Sequence, residues 1–344
     1  MSEKMELYPL KFEPRYVPKM WGGRKIQTVL GKPLPAGELI GESWELFDFP
    51  PGAVEGTSGW VSAAVANGPL AGRTLHELVG EFGPALLGDV PLSQPGGQFP
   101  ILIKFLDARQ DLSVQVHPDK KYAQANAGAF LKSEAWYVVQ ADAGAKLYKG
   151  LTPGVTREAF AAAIESRTVE SMIRTVPVKP GQCYYLPSGT IHALGAGLLV
   201  AEVQTPSDTT YRVHDFDRID PSTGKARKLH VAQALECIDF SGADSGEQAR
   251  SHVAGFSTTV TSLVKTEYFQ LEKIRVAEGV VRPVPYEQPV VWIVLEGSGQ
   301  VSTKAAKEPT SFSRGDTVLL PARMPEPTLS TQSDCVWLEV TFPI

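Results

Sequence analysis

The chain has 344 residues, is 43% hydrophobic and 21% charged, and carries a formal net charge of −5. That length exceeds one ordinary core and suits about two domains. The mild acidity argues against a nucleic-acid or anionic-membrane surface, either of which favours a basic patch, but leaves room for a local basic pocket for a small anion.

In chain order, "RTLHELVGEFGPALLG" (73–88) reads as a helix with a threonine suited to capping. Short β-type runs follow at 100–108, 112–117, 134–140 and 145–151, separated by turn signals such as "PDKK" and "ADAGA". "TREAFAAAIESRTVESMIRTV" (156–176) has the Ala, Glu and Arg content of a helix. Strand-like runs resume at 182–187 and 197–204. The polar, Gly/Ser-rich second half of 234–252 suggests a domain boundary, with 1–240 and 241–344 on either side. Further strands are expected at 268–276, 289–302, 316–322 and 335–342. The fold class is therefore mainly β, a sandwich or barrel with helical insertions. "KPGQCYYLPSGTIHAL" (179–194) and "SRGDTVLLPARMPEPT" (313–328) share a glycine, five residues and a proline, as two related β units would. Only the first has a histidine after the turn, which locates any chemistry in the first unit.

Cys183, Cys237 and Cys335 lie far apart with no CxxC spacing, so neither a disulfide framework nor a thiolate zinc site is expected. We read them as reduced and the protein as cytoplasmic. The N-terminus has no apolar run of signal-peptide length, and nothing approaches the ~18 apolar residues of a membrane span.

In "DLSVQVHPDKKY" (111–122), Gln115 and His117 alternate with valines and so share one strand face. Two polar groups on a face that should be core need a reason. Glu134 opens the strand "EAWYVVQ", and His192 follows the proline turn of the first unit. One metal bound by Gln115, His117, Glu134 and His192 explains all four. Imidazole and carboxylate suit zinc, and also iron or manganese. Taken singly, each has a plainer reading: His117 in a turn, Glu134 at a solvated strand start.

The Gly-Pro-Gly-His segment resembles the second motif of cupins. Together with "MWGG", "GESWEL", "DLSVQVHPD", "KSEAWYV" and "GTIHALGAGLLVAEVQTPSDTTYRVHDFDR", the chain resembles type I phosphomannose isomerases of the shorter bacterial form, from about Phe12 to Arg218. The resemblance implies two jelly-roll-like cupin barrels, the first with helical insertions and one zinc ion, the second degenerate and metal-free. It maps the family's zinc ligands onto Gln115, His117, Glu134 and His192. It implies reversible isomerisation of mannose 6-phosphate and fructose 6-phosphate through a cis-enediol, with a phosphosugar substrate and no nucleic-acid or membrane partner. Monomer and dimer both stay open.

Within that resemblance, Arg212 matches the family's active-site arginine and suits a developing oxyanion. Lys132 shares a strand face with Glu134 and is a candidate for proton transfer, or else a surface lysine. Glu202, facing away from Ala201 and Val203, could shuttle a proton or orient Arg212, or be its buried structural partner. Glu42 resembles a pocket residue, with Glu45 close by. Ser113, on the Gln115 face, and Lys104, a charge inside an apolar run, are candidates for the phosphate; a neighbouring glutamate would equally explain Lys104. His214 is on Arg212's face if the segment stays extended, while His76, His230 and His252 read as structural or solvated. "FLKSEAWY" departs from the family around Lys and Glu, and His214 and Phe216 stand where many relatives carry Tyr and Trp. An iron-dependent cupin oxygenase and a non-catalytic sugar-phosphate binder are the competing functions.

Overall fold

The computed structural model describes residues 6–54, 56–92, 97–220, 224–242 and 250–343. The first unit is built on two antiparallel sheets. One runs in the order Cys183–Leu186, Glu134–Ala141, Leu198–Gln204, Leu102–Ala108, Ile40–Leu46, Arg15–Gly23. The other runs Ile173–Pro177, Lys146–Leu151, His192–Leu194, Val114–Val116, Tyr211–His214. Their inner faces meet in an apolar cluster that includes Leu106, Trp136, Val138, Leu147, Leu194 and Val200. The jelly-roll expectation is thus realised as two facing open sheets, not as one closed ring of hydrogen bonds.

The "MWGG" and "GESWEL" segments are neighbours for a steric reason. A Cβ on Gly22 would lie 2.5 Å from the Gly41 nitrogen, and one on Gly23 2.5 Å from Asp107 Oδ1. Only glycine allows these backbones to approach so closely.

Two expected helices are shorter than their composition suggests. Thr74 caps Leu75–Phe82 through a capping box with Glu77, but Gly83, at φ 44°, breaks the run before Pro84–Leu87. Thr156 caps Arg157–Glu165, after which Arg167 turns to φ 59°. The remainder forms a short 3-10 turn and then the strand Ile173–Pro177, paired with Lys146–Leu151. The β-branched Ile173, Thr175 and Val176 favour the pleated edge over further helix. Among the described residues no helix is long and apolar enough to cross a membrane.

The second unit has a seven-stranded and a four-stranded sheet whose inner faces share Trp292, Trp337, Val301, Phe312 and Leu329. The N-terminal strand Leu10–Lys11 crosses over to pair with Thr317–Leu320. A further apolar cluster runs from Leu7 through Phe105 to Leu338 and Phe342, so the units share core. Most of the expected boundary, residues 243–249, lies outside the described residues. The run 289–302 divides at Gly297, φ 80°, into Val290–Glu296 and Ser298–Ser302.

The internal echo has a side-chain counterpart. Trp136 and Glu202 face each other across neighbouring strands, and Trp136 Nε1 donates to Glu202 Oε2 at 2.7 Å. Trp292 and Glu339 occupy the same cross-strand relation, with Trp292 Nε1 to Glu339 Oε2 at 3.0 Å. Tyr286 Oη and Trp337 Nε1 also donate to that oxygen, at 2.7 and 3.2 Å. Burial holds the Glu339 carboxyl above its ordinary 4.5, against the pull of these three donors. A carboxyl raised in the native state is penalised as it ionises, so this cost is absent at low pH and grows as pH rises. Glu339→Gln keeps an acceptor oxygen and removes the cost. We expect its melting temperature, relative to the parent, to be higher at about pH 8 than at about pH 4.5. Equal offsets in melts at the two pH values would refute this.

Candidate metal centre and active site

Strand register assembles the site. His192 lies directly opposite Gln115, and Gln115 directly opposite Arg212, on three adjacent strands. On the facing sheet, Trp136 lies opposite Glu202, and Glu202 opposite Lys104. Cross-strand partners project to the same face, so residues far apart in sequence line the space between the sheets.

His117, Glu134 and His192 are all at least nine-tenths buried, and their candidate ligand atoms lie within 4.8 Å of one another. His117 Nδ1 donates to the Thr209 carbonyl at 2.9 Å, and His192 Nδ1 to the Thr190 carbonyl at 2.8 Å. With Nδ1 donating to a carbonyl, each ring turns Nε2 inward. Those atoms stand 3.6 and 3.1 Å from the two Glu134 oxygens. His117 Nε2 and both Glu134 oxygens lack a hydrogen-bond partner among the described residues. Lone pairs facing a carboxylate in a buried space call for a cation between them. The residues therefore fit a metal ion, and no second His/Cys/Asp/Glu group of this kind forms among the described residues.

Protonation supports the same fit. Burial, joined by the Lys132 charge, pushes the His117 imidazole down to about 3, so it is neutral at ordinary pH. Burial opposes ionisation of Glu134, but Lys132 and His117 outweigh it and hold the carboxyl well below its usual range. Lys132 Nζ sits 2.9 Å from Glu134 Oε2.

Gln115 is half-buried beside this group, with Nε2 3.5 Å from His192 Nε2 and Oε1 accepting from Ser113 Oγ at 3.1 Å. A half-turn of the carboxamide presents Oε1 to the centre, and Ser113 Oγ can then accept from Nε2. Ser113 thus holds Gln115 in either orientation.

A cavity of about 440 Å³ opens beside the centre, and Glu42, Lys104, Ser113, Gln115, Lys132 and Arg212 all line it. His117, Glu134, His192 and Glu202 lie deeper. Lys104 is buried, with Glu42 at 3.4 Å, Asp208 at 3.9 Å and Glu202 at 4.0 Å. Burial opposes its charge, yet these carboxylates outweigh that and push its pKa up. Burial and the nearby Glu134 charge raise the Glu202 carboxyl to about 7, against Lys132 and Lys104. Glu42 accepts from Trp44 Nε1 at 2.7 Å and pairs with Lys19 at 3.1 Å; burial opposes its ionisation, but Lys19 and Lys104 prevail. Glu45 turns elsewhere, to Lys32 at 2.9 Å.

Other residues on the cavity wall escaped the sequence reading. Lys19, Trp21 and Asp208 lie within or beside the motifs already noted; Arg227, Lys228 and His230 lie in "KARKLH", which reads as an ordinary surface run. His230 was expected to be structural or solvated, but it lines the cavity, and its backbone N–H donates to the Arg212 carbonyl at 2.8 Å. His214 turns away, 3.5 Å from Glu170, because the register shifts between Arg212 and His214.

Residues 10–146 match the catalytic-domain model of type I phosphomannose isomerase. The chain is 34% identical to the mannose-6-phosphate isomerase ManA of Bacillus subtilis over 96% of this chain and 99% of that protein. It is 34% identical to the mannose-6-phosphate isomerase of Streptococcus mutans over 91% of this chain and 92% of that one. The crystal structure of the mannose 6-phosphate isomerase from Bacillus subtilis superposes with a TM-score of 0.85 at 33% identity, covering 98% of this chain and 100% of that chain. With relatives matched along nearly their whole length, this chain belongs to the type I phosphomannose isomerase family.

Proposed function

We propose that this aldose–ketose isomerase interconverts mannose 6-phosphate and fructose 6-phosphate through a cis-enediol, with one zinc ion held by Gln115, His117, Glu134 and His192. The observation that carries the reading is the inward convergence of two imidazole Nε2 atoms and the Glu134 carboxylate beside a cavity lined by cations. The bound ion supplies Lewis-acid polarisation of the sugar oxygens. Lys132, on the cavity wall and 2.9 Å from Glu134, is the group we assign to moving the proton between carbons 2 and 1. Arg212 stabilises negative charge as it develops on the substrate oxygen. Glu202 lies behind the wall and pairs with the wall residue Lys104, so a carboxyl near neutrality there can hold a proton in reserve. Glu42 orients Lys19 and Lys104 toward the cavity.

In this reading residues 1–240 form the catalytic part and 241–344 a metal-free unit. The three cysteines are free, which suits a reducing compartment such as the cytoplasm. The test is a coupled assay for fructose 6-phosphate on purified protein, before and after chelation, with zinc then restored. Turnover that disappears with the metal and returns with zinc supports the reading. No turnover by the zinc-loaded protein overturns it.

A further inference from the structure

The cavity carries more cations than its ion pairs use. Lys19 is matched by Glu42 at 3.1 Å, Lys132 by Glu134 at 2.9 Å, and Arg227 by Asp215, to which its Nε donates at 2.7 Å. Lys104 has three carboxylates within 4.0 Å, the charge of a single lysine shared among Glu42, Asp208 and Glu202. A phosphate brought to Lys104 would also face the Glu42 and Asp208 carboxylates, which line the same cavity, and Ser113 Oγ is already engaged with Gln115. Two cations on the wall differ. Arg212 and Lys228 make no ion pair among the described residues, and Arg212 Nε is buried without a hydrogen-bond partner. They come from adjoining backbone, since the His230 N–H, two residues beyond Lys228, donates to the Arg212 carbonyl at 2.8 Å. Lys228 is exposed at the solvent side of the cavity, whereas Lys132 is buried on its inner side.

Resting on the phosphosugar reading above, we infer that Lys228 is a substrate-binding residue that anchors the phosphate at the outer end of the cavity, with Arg227 adding its charge behind it. A hexose 6-phosphate carries its dianion at the carbon farthest from the reacting pair. If carbons 1 and 2 lie beside Lys132, the phosphate reaches outward, toward the cations that lack carboxylate partners. A phosphate monoester is largely dianionic at neutral pH, and its oxygens accept charge-assisted bonds from lysine. Arg227, locked on Asp215, is a fixed positive neighbour. Lys228 supplies the mobile point charge that a phosphate entering from solvent meets first.

The test compares the zinc-loaded parent with Lys228→Met and Lys228→Arg. An exposed side chain is replaced, so folding is checked simply by matching melting curves. Two quantities are measured: KM for mannose 6-phosphate, and calorimetric Kd for inorganic phosphate. We expect Lys228→Met to weaken both by about tenfold or more, the loss falling on KM, with Lys228→Arg recovering most of it. Unchanged KM and Kd in Lys228→Met would overturn the assignment. So would a loss that appears in kcat alone. Should the parent fail to isomerise mannose 6-phosphate, the isomerase reading falls, and the phosphate Kd still decides the role of Lys228.

Discussion

We expect His192→Ala to abolish isomerase activity, by a factor on the order of 10³ or more, and to leave the purified protein with little bound zinc. The physical basis is the geometry of one ring. Its Nδ1 is tied to the Thr190 carbonyl at 2.8 Å, which leaves Nε2 pointing at Glu134 Oε1, 3.1 Å away. In the proposed centre alanine removes one of four ligands, and the three that remain would offer a weaker and more open site. The structural cost of the substitution is a cavity beside Trp136, whose ring stands 5.3 Å from the imidazole edge to face. That costs about 2–4 kcal/mol, within what a domain of ordinary stability survives. Metal analysis and the coupled assay, read beside a melting curve, check this. A folded variant that keeps stoichiometric zinc and full turnover would remove His192 from the site. Glu134→Gln is the harsher companion, because it leaves Lys132 buried without its counter-ion at 2.9 Å.

Arg212→Met is expected to lower kcat about 10²–10³-fold, equivalent to about 2.7–4 kcal/mol of transition-state stabilisation, while zinc content stays at the parent's level. Arg212 makes no ion pair among the described residues, and its Nε is buried and unpartnered. Burial, then the charge of Arg227, holds its pKa below the usual value for arginine. This setting suits the proposed role of holding a substrate oxyanion, and removal of the guanidinium breaks no ion pair among the described residues. The native fold should therefore persist, which separates this variant from the metal-ligand variants. Arg212→Lys should recover only part of the rate, because an ammonium cannot reproduce the planar fork. Steady-state kinetics with metal analysis decide it; a variant with parental kcat would place the oxyanion contact elsewhere.

Much of the candidate site was legible in the chain because strand alternation is a local property. Gln115 and His117 declare a shared face from five residues of sequence, whereas Lys132 precedes the strand Glu134–Ala141 and reaches Glu134 from the loop before it. The proline turn before His192 likewise needs no distant information. The segment 156–176 is helical only over Arg157–Glu165: its composition favours helix throughout, but pairing with Lys146–Leu151 claims its β-branched end. The wall formed by "KARKLH" carried no signal, since a basic run looks alike whether it faces water or a cavity.

The sequence by itself determined the β-rich class, the motif residues and the asymmetry between a histidine-bearing and a histidine-free unit. Only the tertiary structure decided that His192, Gln115 and Arg212 stand in one cross-strand row. It alone showed that three carboxylates enclose Lys104 and that Lys228 reaches the same cavity as Lys132. The reason is physical. Side-chain direction along one strand follows from a two-residue repeat, whereas register between strands separated by tens of residues is set by how both sheets bury their apolar faces together.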